Sequence, residues 1–346
     1  MSTLPALTHD RVLRAGAFSV RVTPRLLVVG AALGVVALAA GVLTMLHGTL
    51  ALSPAEVLQA LGGTGEEAAV RSVRGRRLPR LLTAFMVGGS LGVAGAVFQS
   101  LSRNALGSPD VIGFTTGAAT GAVVQIVLFD GGVLPTAIAA VAGGVATALV
   151  VYLLARKDGV AGGLRLVLVG IGVGAILGAV TSFLLVRASI DDATTVQQWT
   201  AGSLTGRGWP HALSVTAAVV VLVPMLMLAA RRLTLIEMGD DAAGALGIGV
   251  ERQRFTALLL AVALTGVATA ATGPIAFVAL AAPQIVRRLT RRGGVVVLPS
   301  FFMGATLLVL ADLLSQALDV GLRTPVGLVT SLLGGLYLVW LLARRA

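Results

Sequence analysis

LTLIEMGDDAAGALGIGVERQR, Leu233 to Arg254, is a polar interval in a chain that is apolar on both sides of it. It carries Glu237, Asp240, Asp241 and Glu251, four of the fifteen acids in the sequence. Gly239-Asp240 reads as a helix start, because an Asp side chain accepts a hydrogen bond from the unpaired N–H groups of a first turn, and Gly247 reads as the stop. The helix between them is only about two turns long, too short to be stable alone in water, so it needs a surface to lie on. That surface is expected to belong to another protein.

Working outward, the composition settles the solvent. Hydrophobic residues make up 56% of the 346 residues against 12% charged, with mean hydropathy +0.95. A water-soluble fold could not hide so much apolar surface, so the expected fold class is an all-α polytopic membrane protein. Forty-four Gly and abundant Ala suit close helix packing in lipid, and the absence of Cys excludes disulfides and thiolate metal sites. The net charge of +11 lies in short Arg clusters between apolar runs. Orientation signals distribute charge this way, and no aromatic-basic platform accompanies the clusters, so nucleic acid is not an expected partner.

Residues 1–25 form a cytoplasmic N-terminal segment with Arg11, Arg14, Arg21 and Arg25, and residues 26–346 form a single transmembrane domain with the polar interval 233–254 inside it. Apolar runs predict ten spans: Leu26–Leu46, Leu81–Phe98, Val111–Leu128, Val133–Leu154, Leu166–Val186, Ala212–Ala230, Phe255–Ala271, Ile275–Val286, Val296–Leu318 and Val326–Leu342. With both termini in the cytoplasm, eighteen of the 26 Lys and Arg fall inside and eight outside. Five of those eight are Arg71, Arg74, Arg76, Arg77 and Arg80. An outer Arg cluster reads either as side chains snorkelling to headgroups or as a docking surface for an acidic partner.

No catalytic constellation is visible. His9, His47 and His211 fall in or beside separate loops, which argues against a metal cage or a nucleophile–base pair. A phosphate-cradling loop needs Gly-Lys-Ser/Thr, and the only Lys, Lys157, stands between Arg156 and Asp158. The chain is therefore not expected to hold ATP, or any cofactor, by that route. Asp312 is the one clear intramembrane acid; a lone acid makes a poor proton relay, and pairing with a neighbouring helix or the backbone is the expected use.

The motifs, in order, are Arg77-Leu78-Pro79-Arg80; Gly95 and Gln99 before Arg103-Asn104; Ser108-Pro109-Asp110-Val111-Ile112-Gly113; Gly202-Ser203-Leu204; Leu235 through Gly247; Gly273-Pro274-Ile275 with Phe277 and Pro283; Ala311-Asp312; and Pro325-Val326-Gly327. Over nearly its whole length the sequence resembles the permease subunits of bacterial ABC importers for iron–siderophore complexes, haem and vitamin B12. It is most similar to one of the two permeases of a ferric-enterobactin-type system. The resemblance implies a type II importer permease fold of about ten spans, with an approximate repeat of spans two to five in spans seven to ten. It implies an ATPase dimer that binds ATP and Mg below, a second permease, an extracytoplasmic siderophore-binding protein above, and an Fe(III)–siderophore as cargo, with cobalamin or haem as alternatives. A secondary transporter or channel is the runner-up class.

By the same resemblance Leu235, Glu237, Met238, Gly239, Asp240, Asp241, Ala243, Leu246 and Gly247 form the ATPase-coupling contact, and Arg77 and Arg80 meet the binding protein. Gln99, Asn104, Pro109, Gly113, Pro283 and Asp312 are structural or pathway candidates. Departures from the family pattern are Ala105, Ala279-Leu280, Gln284, Gln316 and Arg323. Gln316 and Arg323 leave fewer outer docking charges, which suits a heterodimer of two related permeases.

Overall fold

The computed structural model describes residues 11–15, 18–22, 24–48, 50–110, 112–130, 132–156, 163–291, 293–318 and 324–343. Strands β1 (Arg11–Ala15) and β2 (Phe18–Val22) pair antiparallel in the N-terminal segment, a pairing that the charge pattern of residues 1–25 does not predict. Every regular element described after them is a helix. α1 (Pro24–Leu46) is followed by two short helices, α2 (Pro54–Gly62) and α3 (Glu67–Ser72), then a π turn (Val73–Arg77) that runs straight into α4 (Leu78–Ser102). Pro79 cannot donate to the carbonyl one turn back, and the widened turn takes up that interruption. Ser53 starts α2 with a reciprocal cap: Glu56 N donates to Ser53 Oγ at 3.3 Å, and Ser53 N donates to Glu56 Oε2 at 2.7 Å.

The remaining helices are α5 (Phe114–Phe129), α6 (Val133–Ala155), α7 (Gly163–Arg187), α8 (Ile190–Thr200), α9 (Trp209–Glu237), α10 (Asp240–Ala245), α11 (Val250–Thr272), α12 (Val278–Thr290), α13 (Val297–Ala317) and α14 (Val326–Ala343). The ten expected spans coincide with α1, α4 to α7, α9 and α11 to α14. Seven helical stretches among the described residues are long and apolar enough to cross a membrane; α5 and α14 are shorter apolar helices. α12, with 13 residues, rises only about 20 Å, less than a hydrocarbon core. Ahead of it, Gly273–Phe277 is non-helical backbone packed against the 202–203 turn, with Pro274 and Ala276 half-buried on the wall of a cleft: Ser203 N donates to the Thr272 carbonyl at 2.7 Å, and a Cβ on Gly202 would strike the Pro274 carbonyl. Non-helical backbone at membrane depth is tolerated only when protein covers it or it lines a water-filled cavity.

The core is built around α4, which packs on α13 most extensively and also on α9, α11 and α12. Close approach is made possible by glycine. A Cβ on Gly92 would run into the Ser300 carbonyl of α13, and one on Gly95 into the Ala279 carbonyl of α12. Lengths also repeat: α4 to α7 hold 25, 16, 23 and 25 residues, and α11 to α14 hold 23, 13, 21 and 18. In each set the second helix is short and is entered through a left-handed residue, Gly113 at φ 82° before α5 and Phe277 at φ 67° before α12. This pattern accords with the repeat that the resemblance implied.

Candidate functional site: the polar segment at one end and the arginines at the other

The polar interval folds as a short protrusion at one end of the bundle. α9 runs on to Glu237, α10 occupies Asp240–Ala245, and α11 begins at Val250. Gly247 terminates α10 with φ 77°; its N–H donates to the Gly244 carbonyl at 2.9 Å, and Ile248 N–H donates to the Ala243 carbonyl at 3.1 Å. This paired return is the usual glycine stop. Ala243 is fully buried and seats the helix, whereas Met238 and Leu246 are 76% and 66% exposed. Two large apolar side chains held out on a polar loop are what a partner surface would cover.

Asp240 corrects the sequence reading in one respect. Gly239 is the N-cap, at φ 135°, and no side chain caps the first turn. The Asp240 carboxylate instead accepts from Arg254 twice, Nη1 to Oδ2 at 3.0 Å and Nη2 to Oδ1 at 2.7 Å, and from Arg103 Nη2. Arg103 Nη2 also donates to the Ile236 carbonyl at 2.8 Å. Partial burial works to raise the Asp240 pKa, but the hydrogen bond and charge of Arg254, joined by Arg103, outweigh it and hold the carboxyl below the ordinary Asp value. Beside this cluster Arg287 reaches Glu237 at 3.3 Å, and Tyr152 on α6 donates to Glu251 on α11. Leu235 and Gly239 are half-buried, and Asp241 and Gly247 are exposed.

At the opposite end, the docking arginines also need correction. Arg77 is buried, 8% exposed, and its guanidinium donates to the Met45 carbonyl at 2.6 Å and to the Leu50 carbonyl, so it closes the α1–α2 connection rather than facing out. Arg80 forms a forked pair with Asp312 on α13, Nε to Oδ2 at 3.1 Å and Nη2 to Oδ1 at 2.8 Å, and Gln316 Nε2 donates to Asp312 Oδ2 at 2.9 Å. Arg74 donates to the Leu61 carbonyl at 3.1 Å. Arg76 is the exposed member that lines a 740 Å³ cavity with His47, Arg80, Arg207 and Gln316. Arg323 lies outside the described residues.

The pathway candidates are packed inside the subunit. Gln99 Nε2 donates to the Leu280 carbonyl at 3.0 Å, and Gln284 Nε2 donates to Gln99 Oε1 at 2.8 Å and to the Ala105 carbonyl at 2.9 Å. Asn104 Oδ1 accepts from Leu106 N at 3.0 Å, and the Pro109 carbonyl accepts from Phe114 N at 3.0 Å. Gly113 caps α5, and Pro283 is buried within α12. These residues fasten α4 to α12 and shape the α4–α5 turn. Among the described residues no group of three or more His, Cys, Asp or Glu is placed to hold a metal ion.

A ten-helix bundle with a polar protrusion at one end and an arginine-rich cavity at the other is matched by a known family over residues 35–344. The chain belongs to the FecCD transport family. This FecCD chain is 43% identical over 327 residues to the ferric enterobactin transport system permease protein FepG of Escherichia coli (strain K12), covering 94% of this chain and 98% of that protein. It is 38% identical over 302 residues to the achromobactin transport system permease protein CbrC of Dickeya dadantii (strain 3937), covering 86% of each. Among solved structures it superposes with TM-score 0.81 and 25% identity on a metal-chelate type ABC transporter in an inward-facing conformation, covering 91% of this chain and 99% of that one. The FecCD chain is thus a multi-pass membrane permease whose family works with an ATPase and a related permease.

Sequence reasoning on the FecCD chain missed Arg103, Arg254 and Tyr152 as partners of the polar segment. The signal available was acids and arginines bracketing one short polar interval, but their pairing needs the fold.

Proposed function

We propose that this chain is one transmembrane subunit of an ATP-driven importer that carries an Fe(III)–siderophore across the cytoplasmic membrane. The observation that carries the reading is the α10 protrusion: a six-residue helix seated by Ala243, stopped by Gly247 and flanked by exposed Met238 and Leu246. Such a helix has too few hydrogen bonds to stand alone, and the apolar residues at its two ends are open to a partner. The partner is an ATPase that holds ATP and Mg; the permease itself performs no chemistry. Both termini then lie in the cytoplasm, on the α10 side.

The opposite end faces the extracytoplasmic binding protein. Arg76, on the rim of the basic cavity, offers the free charge for that contact, with Arg80 and Arg207 beside it. A second, related permease faces the cleft between α5, α7, α8 and α14. That cleft measures 330 Å³ and is walled mostly by apolar atoms, with Thr181 sharing its hydroxyl with Thr120 and Ser331 donating to the Gly327 carbonyl; among the described residues no charged or imidazole side chain lines it to strip a bare ion, which suits a bulky chelate. A strain lacking the chain, supplied with radiolabelled ferric catecholate, ferric hydroxamate, haem or cobalamin, is expected to lose uptake of one ferric siderophore. Normal uptake of every iron chelate with failed cobalamin uptake would reject the cargo assignment.

A further inference from the structure

The three groups that meet at Asp240 come from separate parts of the fold. Arg103 is the residue that closes α4, held in the left-handed region at φ 49°. Arg254 lies in the first turns of α11, its side chain 5% exposed. The Ile236 carbonyl, which shares Arg103 Nη2, belongs to the last turn of α9. α4 and α11 are the first helices of the two repeated halves. One carboxylate on α10 therefore ties the protrusion to the same-numbered helix of each half, and the Arg103 bond to Ile236 closes α9 into the same knot.

We propose that Asp240, Arg103 and Arg254 form a clasp that makes α10 move as one body with the ends of α4 and α11, so that displacement of α10 reaches both halves of the permease together. The inference rests on reading residues 233–254 as the ATPase contact. Its physical basis is charge-assisted hydrogen bonding: the paired Arg254–Asp240 bonds fix orientation as well as distance, which a single contact would not. Among the described residues Asp240 is the carboxylate that pairs with the buried Arg254 guanidinium, whose Nε has no hydrogen-bond partner, so release of Asp240 would strand a cation in a poorly hydrated site. Arg103, Arg254 and Ile236 are positioning groups. They act on transport through α10 and do not touch the cargo.

The chain has no cysteine, so Leu106→Cys beside the end of α4 and Ala245→Cys at the end of α10 can carry a spin-label pair in the assembled complex with its ATPase and second permease. Both positions are exposed. The clasp predicts that this distance stays fixed when ATP is added. In an Arg103→Gln background the distance should shift or broaden on ATP addition. Arg103→Gln should keep ATPase co-purification and basal hydrolysis while lowering substrate-stimulated hydrolysis and transport about ten-fold, a usual size for coupling between sites. Arg103→Lys keeps the charge and several donors and should restore most of the loss. A label distance that changes with ATP in the unsubstituted background overturns the clasp, whether or not Arg103→Gln assembles, and so does transport at the parental rate in Arg103→Gln. Met238→Asp tests the underlying reading separately. It should abolish ATPase retention, and retention at the parental level would remove the ATPase contact itself.

Discussion

Arg80→Ala removes the cation from a pair that spans α4 and α13. Asp312 has a side chain only 1% exposed, and Arg80 Nη2 stands 2.8 Å from it. With an effective dielectric of about 20, two unit charges at that distance attract by about 6 kcal/mol. Part of this is offset by the cost of holding Asp312 away from water, and the Arg80 side chain, 23% exposed, is partly screened. Deleting one member of a buried pair costs about 3–5 kcal/mol because the other charge is stranded. Gln316 still donates to Asp312, so the expected loss lies at the low end, about 3 kcal/mol. Thermal unfolding of the detergent-purified permease, scored as a double-mutant cycle, measures it. Arg80→Ala should melt well below the parent, and Arg80→Ala with Asp312→Asn should recover most of the difference. Arg80→Glu should reduce abundance, since it sets a second carboxylate beside the first. Refutation would be an unchanged melting temperature for Arg80→Ala, or a double variant as unstable as the single one.

Arg76→Glu should slow association of the binding protein by roughly ten-fold at low salt, with the effect shrinking as salt rises, while abundance stays normal; surface-plasmon measurements on the reconstituted permease would check it. Arg77→Glu should instead lower abundance, because the buried guanidinium serves the Met45 and Leu50 carbonyls that close the α1–α2 connection. At Gly247 the space around an added Cβ is open, so Gly247→Val isolates the cost of φ 77°, about 1–2 kcal/mol in a six-residue helix. Substrate-stimulated ATP hydrolysis and transport should fall together, with normal insertion on a membrane blot. For Asp240 the folded pKa lies below the unfolded one, so its stabilising contribution is present at neutral pH and is lost only as pH falls through the depressed value. The stability gap between parent and Asp240→Asn should stay constant from about pH 8 to pH 5 and close below about pH 4, as read by melting temperature.

The apolar runs gave the ten intervals because hydrocarbon length leaves few alternatives, and Gly247 was legible because positive φ is a local demand that glycine meets. The start of α10 was placed correctly, but the purpose of Asp240 was not. Local rules offer an Asp at a helix start only the capping role, whereas its partner Arg103 lies 137 residues away. Distance along the chain hid the Arg80–Asp312 pair in the same way, at 232 residues. Arg77 and Arg76 are neighbours in one basic cluster, and composition could not say which turns inward. The π turn decides it, by sending Arg77 toward the Met45 and Leu50 carbonyls. The N-terminal strands are not legible for a different reason: the alternation in Arg11–Ala15 and Phe18–Val22 is only five residues long in each, and the arginines within it are the stronger signal.

Uptake into sealed vesicles holding the chain, its partner permease and its ATPase, with binding protein and labelled ferric siderophore outside, tests the central claim most directly. The account predicts uptake that requires ATP and Mg on the α10 side and stops when Met238→Asp releases the ATPase. Uptake by the permease alone under a proton gradient, with no ATPase present, would contradict it.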